Sequence, residues 1–169
     1  MIEIIKADIT TLDKDAIVNA ANDGLWAGGG VCGAIFRAAG YDELTKACEL
    51  IGGCQTGSAV ITPGFNLKAR FIIHAVGPIW QGGDRDESTY LYNCYKKSLE
   101  LAKENNLHSI AFPLISAGIF GYPEDKAWGR AIAACRDFEK EHSSYPIDIT
   151  FAVLDDSIME SGMRMLLER

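Results

Sequence analysis

Apolar residues along this chain fall in short runs, most of them continuous, separated by longer segments of helical period. The runs are Ile2–Ile5, Ala16–Val18, Ala59–Ile61, Phe71–Val76, Ile110–Leu114 and Ile147–Leu154. Most are rich in β-branched residues and do not alternate with polar ones, the pattern of strands covered on both faces. Leu91, Tyr95, Leu99 and Ala102 share one face of a helix predicted over Ser88–Asn105, with Ser88 as its N-cap. Ala127, Ala131, Cys135 and Phe138 do the same over Glu124–His142. A last helix, starting at Asp156 or Ser157, carries Ile158, Met165 and Leu166. Strands alternating with helices predict an α/β fold, a three-layer α/β/α sandwich around a mixed, largely parallel sheet. The 169 residues fit one domain, large enough to bury a core without staples. The polar stretch Gln81–Ser88 reads as an exposed loop.

Two glycine-bearing loops stand out against this frame. One lies within IVNAANDGLWAGGGVCGAIFRAAG, Ile17–Gly40; the other is PLISAGIFGYP, Pro113–Pro123. Each begins at the end of an apolar run and leads into a helical pattern, where open α/β sheets bind their ligands. Glycine lets main-chain N–H groups approach a ligand, and a helix N-terminus adds unpaired donors and partial positive charge. Gly28–Gly33 does not match the spacing of a dinucleotide fingerprint, and the chain has no P-loop motif. A glycine triplet alone suits a flexible loop as well as a ligand loop. Asn19 and Asn22, just upstream, have two readings. Their carboxamides can serve a sugar hydroxyl or a water, or they can shape a turn.

The formal net charge of −7 argues against an extended nucleic-acid face. It does not argue against a small anion held by main-chain amides. The cysteines, Cys32, Cys48, Cys54, Cys94 and Cys135, are odd in number and form no Cys-x-x-Cys pair. They read as reduced, buried thiols, and Cys48 and Cys54 lack the histidine that would complete a zinc site. No signal peptide or run of membrane-spanning length is present, so a cytoplasmic protein with no membrane partner is expected.

The motifs NAAN–GGGVCGAI and PLISAGIFGYP occur with ADIT (Ala7–Thr10), HAVGPIW (His74–Trp80) and the stretch Phe151–Asp155. Together they resemble the macrodomain family over essentially the whole chain. The nearest pattern is that of the MacroD-type ADP-ribosyl hydrolases and O-acetyl-ADP-ribose deacetylases. The resemblance implies ADP-ribose or an ADP-ribosylated protein as partner, with no cofactor, no metal and no nucleic acid. It assigns Asp8 to the adenine amino group, with the Ile9 backbone beside it. Asn22 is assigned to the distal ribose and the attacking water, as the catalytic residue. Gly28, Gly29, Gly30, Val31 and Cys32 wrap the distal ribose and one phosphate. Ser116, Ala117, Gly118, Ile119, Phe120 and Gly121 grip the diphosphate, with Phe120 leaning over the distal ribose. Leu154 stands where many relatives stack an aromatic on adenine. His74 reads as structural, and His108 and His142 as surface residues at helix ends.

Two positions depart from the MacroD pattern. The usual aspartate of GGGVDG is Cys32, and the usual following histidine is Phe36. A thiol is a poor general base, and no adjacent base or cation is evident to make Cys32 a nucleophile. Asp23 is a conceivable replacement acid, though the family pattern gives it no support. Three functions share such a pocket: hydrolysis of an ADP-ribosyl ester, non-catalytic reading of ADP-ribose, and dephosphorylation of ADP-ribose 1″-phosphate.

Overall fold

The structure, a computed structural model, describes residues 1–168. Six strands form one sheet: β1 (Ile2–Lys6), β2 (Ala16–Ala20), β3 (Ala59–Pro63), β4 (Phe71–Ala75), β5 (Ser109–Phe112) and β6 (Asp148–Val153). Their order is β1-β6-β5-β2-β4-β3. All neighbouring pairs are parallel except β3–β4, so the sheet is mixed with a single antiparallel edge. Pro63 is tolerated because β3 is that edge, where a missing N–H breaks no inner ladder.

The helices are α1 (Gly30–Ala39), α2 (Tyr41–Ile51), α3 (Glu87–Glu104), α4 (Glu124–Glu141) and α5 (Asp156–Leu167). Alternate strand residues face opposite cores. Ala16 and Val18 pack with α3 and α4 residues such as Leu91, Tyr95, Ala131 and Phe138, whereas Ile17 packs with Ile35, Phe36 and Leu44 of α1 and α2. The inner strands β2, β4, β5 and β6 are therefore buried on both faces, as expected, whereas the edge strands β1 and β3 are only partly buried. The larger core centres on Tyr95, Phe112, Trp128 and Phe151, whose rings meet at centroid distances of 5.0–6.0 Å. Burial of each such side chain contributes about 2–3 kcal/mol. Cys94 and Cys135 lie in this core and Cys32 and Cys48 in the other, while Cys54 is only half-buried, against the expectation of five buried thiols; none of the five is bonded.

One local expectation is corrected. Ser88 is not the N-cap of α3. The helix begins at Glu87, and Asp86 takes the cap position in a left-handed conformation without a side-chain bond. Glu87 itself is buried and accepts from the N–H groups of Gln81, Gly83 and Arg85 at 2.7–3.0 Å. Those bonds hold its carboxyl down at about 2, against the opposing effect of burial, and fix the 81–86 loop. After the first glycine loop, α2 follows α1 directly. Gly40, at φ 114°, breaks the chain between them. By contrast, α5 starts where expected, with Asp155 accepting from Ser157 and Ile158.

Candidate functional site

The carboxyl ends of β1, β6, β5, β2 and β4 lie side by side in that order. Asp8 and Ile9 follow β1, and Leu154 follows β6. Ser116–Gly121 follow β5, and Asn22 and Gly28–Cys32 follow β2. Every residue assigned by resemblance thus falls on one edge of the sheet. From β1 to β2 is three strand spacings, roughly 14 Å, room for an elongated ligand rather than a lone phosphate. The connection leaving β2 runs through α1 and α2 toward β3, while that leaving β5 runs through α4 to β6 on the other face. Neighbouring connections that part in this way open a crevice between them.

The first loop is closed by Asn22. Its Oδ1 accepts from the Trp26 N–H at 3.1 Å, and its Nδ2 donates to the Trp26 carbonyl at 2.8 Å. The carboxamide keeps one further N–H and one lone pair for a ligand. Asn22 is therefore a turn residue with spare hydrogen-bonding capacity. Gly33 lets the loop fold back on α1, since a Cβ there would lie 2.6 Å from the Gly28 carbonyl oxygen. Gly30, Val31 and Cys32 form the first turn of α1, and their N–H groups have no acceptor within the helix. Cys32 is buried beneath Gly28, with its Sγ 3.6 Å from Asn19 Nδ2 and 3.8 Å from the Trp26 carbonyl.

The second loop holds a backbone conformation that side chains rarely adopt. Ser116 sits at φ 68°, a left-handed value costing on the order of 1 kcal/mol for a residue with a Cβ. Its hydroxyl is buried and has no partner among the described residues. Gly77, just past β4, makes room for it, because a Cβ on Gly77 would lie 2.3 Å from Ser116 Oγ. The N–H groups of Ser116, Gly118, Ile119 and Phe120 donate to no protein atom among the described residues. Nothing lies within 4 Å of the place a Gly118 Cβ would occupy. The two loops meet: Ile119 Cδ1 is 3.4 Å from where a Cβ on Gly29 would stand. Neither Asn22–Cys32 nor Ser116–Gly121 contains a lysine or arginine. The positive potential of the crevice comes from aligned amides.

At the other end, Asp8 accepts from the N–H and hydroxyl of Thr10 through one oxygen, at 3.0 and 2.7 Å. Its second oxygen makes no such contact among the described residues. Ile9 is buried, and Leu154 is 75% exposed at the mouth of the crevice. Among the described residues no group of three or more His, Cys, Asp or Glu side chains is placed to hold a metal, and no helix is long and apolar enough to cross a membrane.

Comparison with known proteins agrees with this geometry. A family model described as "Macro domain" matches residues 18–131. The chain belongs to the macro domain family. A macro domain-containing protein of Ralstonia nicotianae is 54% identical over 147 residues, covering 87% of this chain and 83% of that protein. A Salmonella newport protein named O-acetyl-ADP-ribose deacetylase is 45% identical over 172 residues, covering 99% of this chain and 95% of its own. The crystal structure of a Trypanosoma brucei macrodomain in complex with ADP-ribose superposes with a TM-score of 0.90 at 37% identity, covering 98% of this chain and 68% of that one. The macro domain fold expected from the motifs is the fold observed.

Below the crevice of this macro domain lies a polar chain that sequence reasoning did not find. Asn19 is not in a turn; it is the fourth residue of β2, paired with His74 across the sheet and 1% exposed. Its Nδ2 is 3.1 Å from His74 Nδ1, and His74 Nε2 is 2.9 Å from Thr62 Oγ1. Because the Asn19 amide donates to Nδ1, the imidazole proton sits on Nε2 and is given to Thr62, whose hydroxyl donates to the Pro63 carbonyl. The only signal in the sequence was a polar residue breaking two apolar runs at matching depth. Burial pushes the His74 imidazole from 6.5 down to about 4.

His74 consequently stays neutral in the folded protein between pH 6.5 and about 4, while the unfolded chain takes up a proton there. Stability falls as pH drops through that window, by about 2 kcal/mol at pH 5. Urea melts at pH 7 and pH 5 should show this loss, and His74→Gln should remove most of it. An unchanged slope in that variant would assign the loss to other groups.

Proposed function

We propose that this macro domain binds ADP-ribose and hydrolyses an ester at its distal ribose. Candidate substrates are proteins mono-ADP-ribosylated on aspartate or glutamate, and O-acetyl-ADP-ribose. The observation that carries the reading is the meeting of two loops, Gly29 against Ile119, each presenting main-chain N–H groups without protein acceptors among the described residues. Such donors from two sides match a pyrophosphate. The ligand-bound relative and the relative named as a deacetylase support the same pocket and reaction class.

In this reading adenine lies between the free oxygen of Asp8 and the exposed face of Leu154. The diphosphate spans the loop amides, and the distal ribose reaches Asn22. The remaining N–H and lone pair of the Asn22 carboxamide hold the ribose hydroxyl and a water. For a side-chain ester, the water oxygen bonds to C1″ as the bond from C1″ to the carboxylate oxygen breaks. The departing carboxylate carries the electron pair, and the water proton passes by way of a phosphate oxygen to solvent. Free ADP-ribose and an unmodified carboxylate result. Cys32 is not the base in this scheme, because its sulfur is buried against Asn19 and Trp26. Positioning and electrostatics supply the acceleration.

Calorimetry with ADP-ribose tests the pocket, and no binding at millimolar ligand ends the reading. Incubation with a glutamate-linked mono-ADP-ribosylated protein tests turnover. Binding with release no faster than in buffer would leave a non-catalytic reader. The packing of Phe36 favours that second reading, for it is 1% exposed and offers no imidazole to the crevice. Under the hydrolytic reading, Cys32→Asp should leave the release rate within about threefold of wild type, because a carboxylate there is packed against Asn19 and Trp26 as the thiol is; a rise of about tenfold or more would make position 32 the seat of a base.

A further inference from the structure

A second cavity opens behind the Ser116–Gly121 loop. Its volume is about 390 Å³, and Trp80, Gly83, Ser88, Tyr122, Lys126 and Arg130 line it. Its aromatic walls are fastened to that loop. The Trp80 N–H donates to the Phe120 carbonyl at 2.8 Å, and the Tyr122 N–H to the Ser116 carbonyl at 2.9 Å. The two rings pack against each other at a centroid distance of 4.7 Å. The cavity and the crevice therefore share one wall.

Two cations face this space. Lys126 Nζ stands 5.4 Å from the centroid of the Trp80 ring. The Arg130 guanidinium lies 4.8 Å from the Tyr92 ring, and its Nε donates to the Ser88 carbonyl at 3.2 Å. Among the described residues, neither cation is paired with a carboxylate. Glu87, next to Ser88, spends its oxygens on the N–H groups of Gln81, Gly83 and Arg85. In a chain of net charge −7, two cations without acidic partners around one cavity mark a place for an anion. Aromatic faces beside them hold the ammonium and guanidinium groups in place. Asp84, Arg85, Asp86 and Asp125 are exposed and adjoin lining residues along the chain.

We infer that this cavity receives an aspartate or glutamate side chain of the substrate protein, close to the ADP-ribosylated residue. The inference rests on the reading of the crevice given above and adds a preference for acidic flanking sequence. Two synthetic peptides test it, each carrying one ADP-ribosylated glutamate, flanked by aspartates in one and by asparagines in the other. Binding is measured by calorimetry, so the readout does not depend on turnover, with free ADP-ribose and O-acetyl-ADP-ribose as controls. The wild-type protein should prefer the acidic peptide about fivefold. Lys126→Glu should abolish or reverse that preference while leaving affinity for free ADP-ribose and turnover of O-acetyl-ADP-ribose unchanged. Lys126 is exposed, so its replacement does not threaten the fold. Arg130→Gln should weaken the preference in the same direction. Equal binding of both peptides by the wild-type protein, or a preference that survives Lys126→Glu, overturns the inference. Failure to bind free ADP-ribose overturns the reading of the crevice, and the two failures are told apart by that control.

Discussion

Gly118→Val should leave the protein folded and weaken ADP-ribose binding at least about a hundredfold. Nothing lies within 4 Å of the position a Cβ would take at residue 118, so the new side chain meets no protein atom there. It projects instead into the space the diphosphate would occupy. The branched side chain keeps a phosphate from the N–H groups of Gly118 and Ile119, which have no other acceptor among the described residues. Losing one or two charge-assisted hydrogen bonds costs about 3 kcal/mol, which is the hundredfold. Calorimetry reads the affinity, and a thermal melt matching wild type excludes misfolding. Undiminished binding by the folded variant would mean that the second loop does not hold the phosphates.

Asn22→Ala should cut turnover by about a hundredfold, because a water displaced by an ångström loses that much. The same change removes both bonds to Trp26 and lowers stability by about 1–2 kcal/mol. The two effects separate by experiment. A loosened first loop raises KM, whereas a lost water lowers kcat at saturating substrate. A kcat within about threefold of wild type would remove Asn22 from the chemistry and leave it a turn residue.

The layering of the fold was legible because the inner strands are apolar on both sides, as at Ala16-Ile17-Val18, where successive residues enter different cores. The helices α3 and α4 were legible from Leu91, Tyr95, Ala131 and Phe138, which share helical period and burial. Their starts were less so. Ser88 looked like a cap, but the structure uses the Glu87 carboxylate to gather the amides of Gln81, Gly83 and Arg85, a loop closure that cap preference alone does not encode. The glycine loops announced themselves, whereas the strain at Ser116 did not. It depends on Gly77, thirty-nine positions earlier, leaving space for the hydroxyl. Asn19 was visible as a residue but not as a buried partner of His74, since that needs the register of β2 against β4.

The pairing of β1 with β6 joins Ile2 to Ile149 and Lys6 to Val153, nearly the full length of the chain. A ribosome therefore releases Asp8 well before Leu154. Until the final strand slots between β1 and β5, its two neighbours keep bare edges that invite pairing with other chains. Long-range closure of this kind is slow. The nascent polypeptide carries both glycine loops well before β6 brings Leu154 beside them, and truncation ahead of Asp148 would freeze it in that half-built, sticky state.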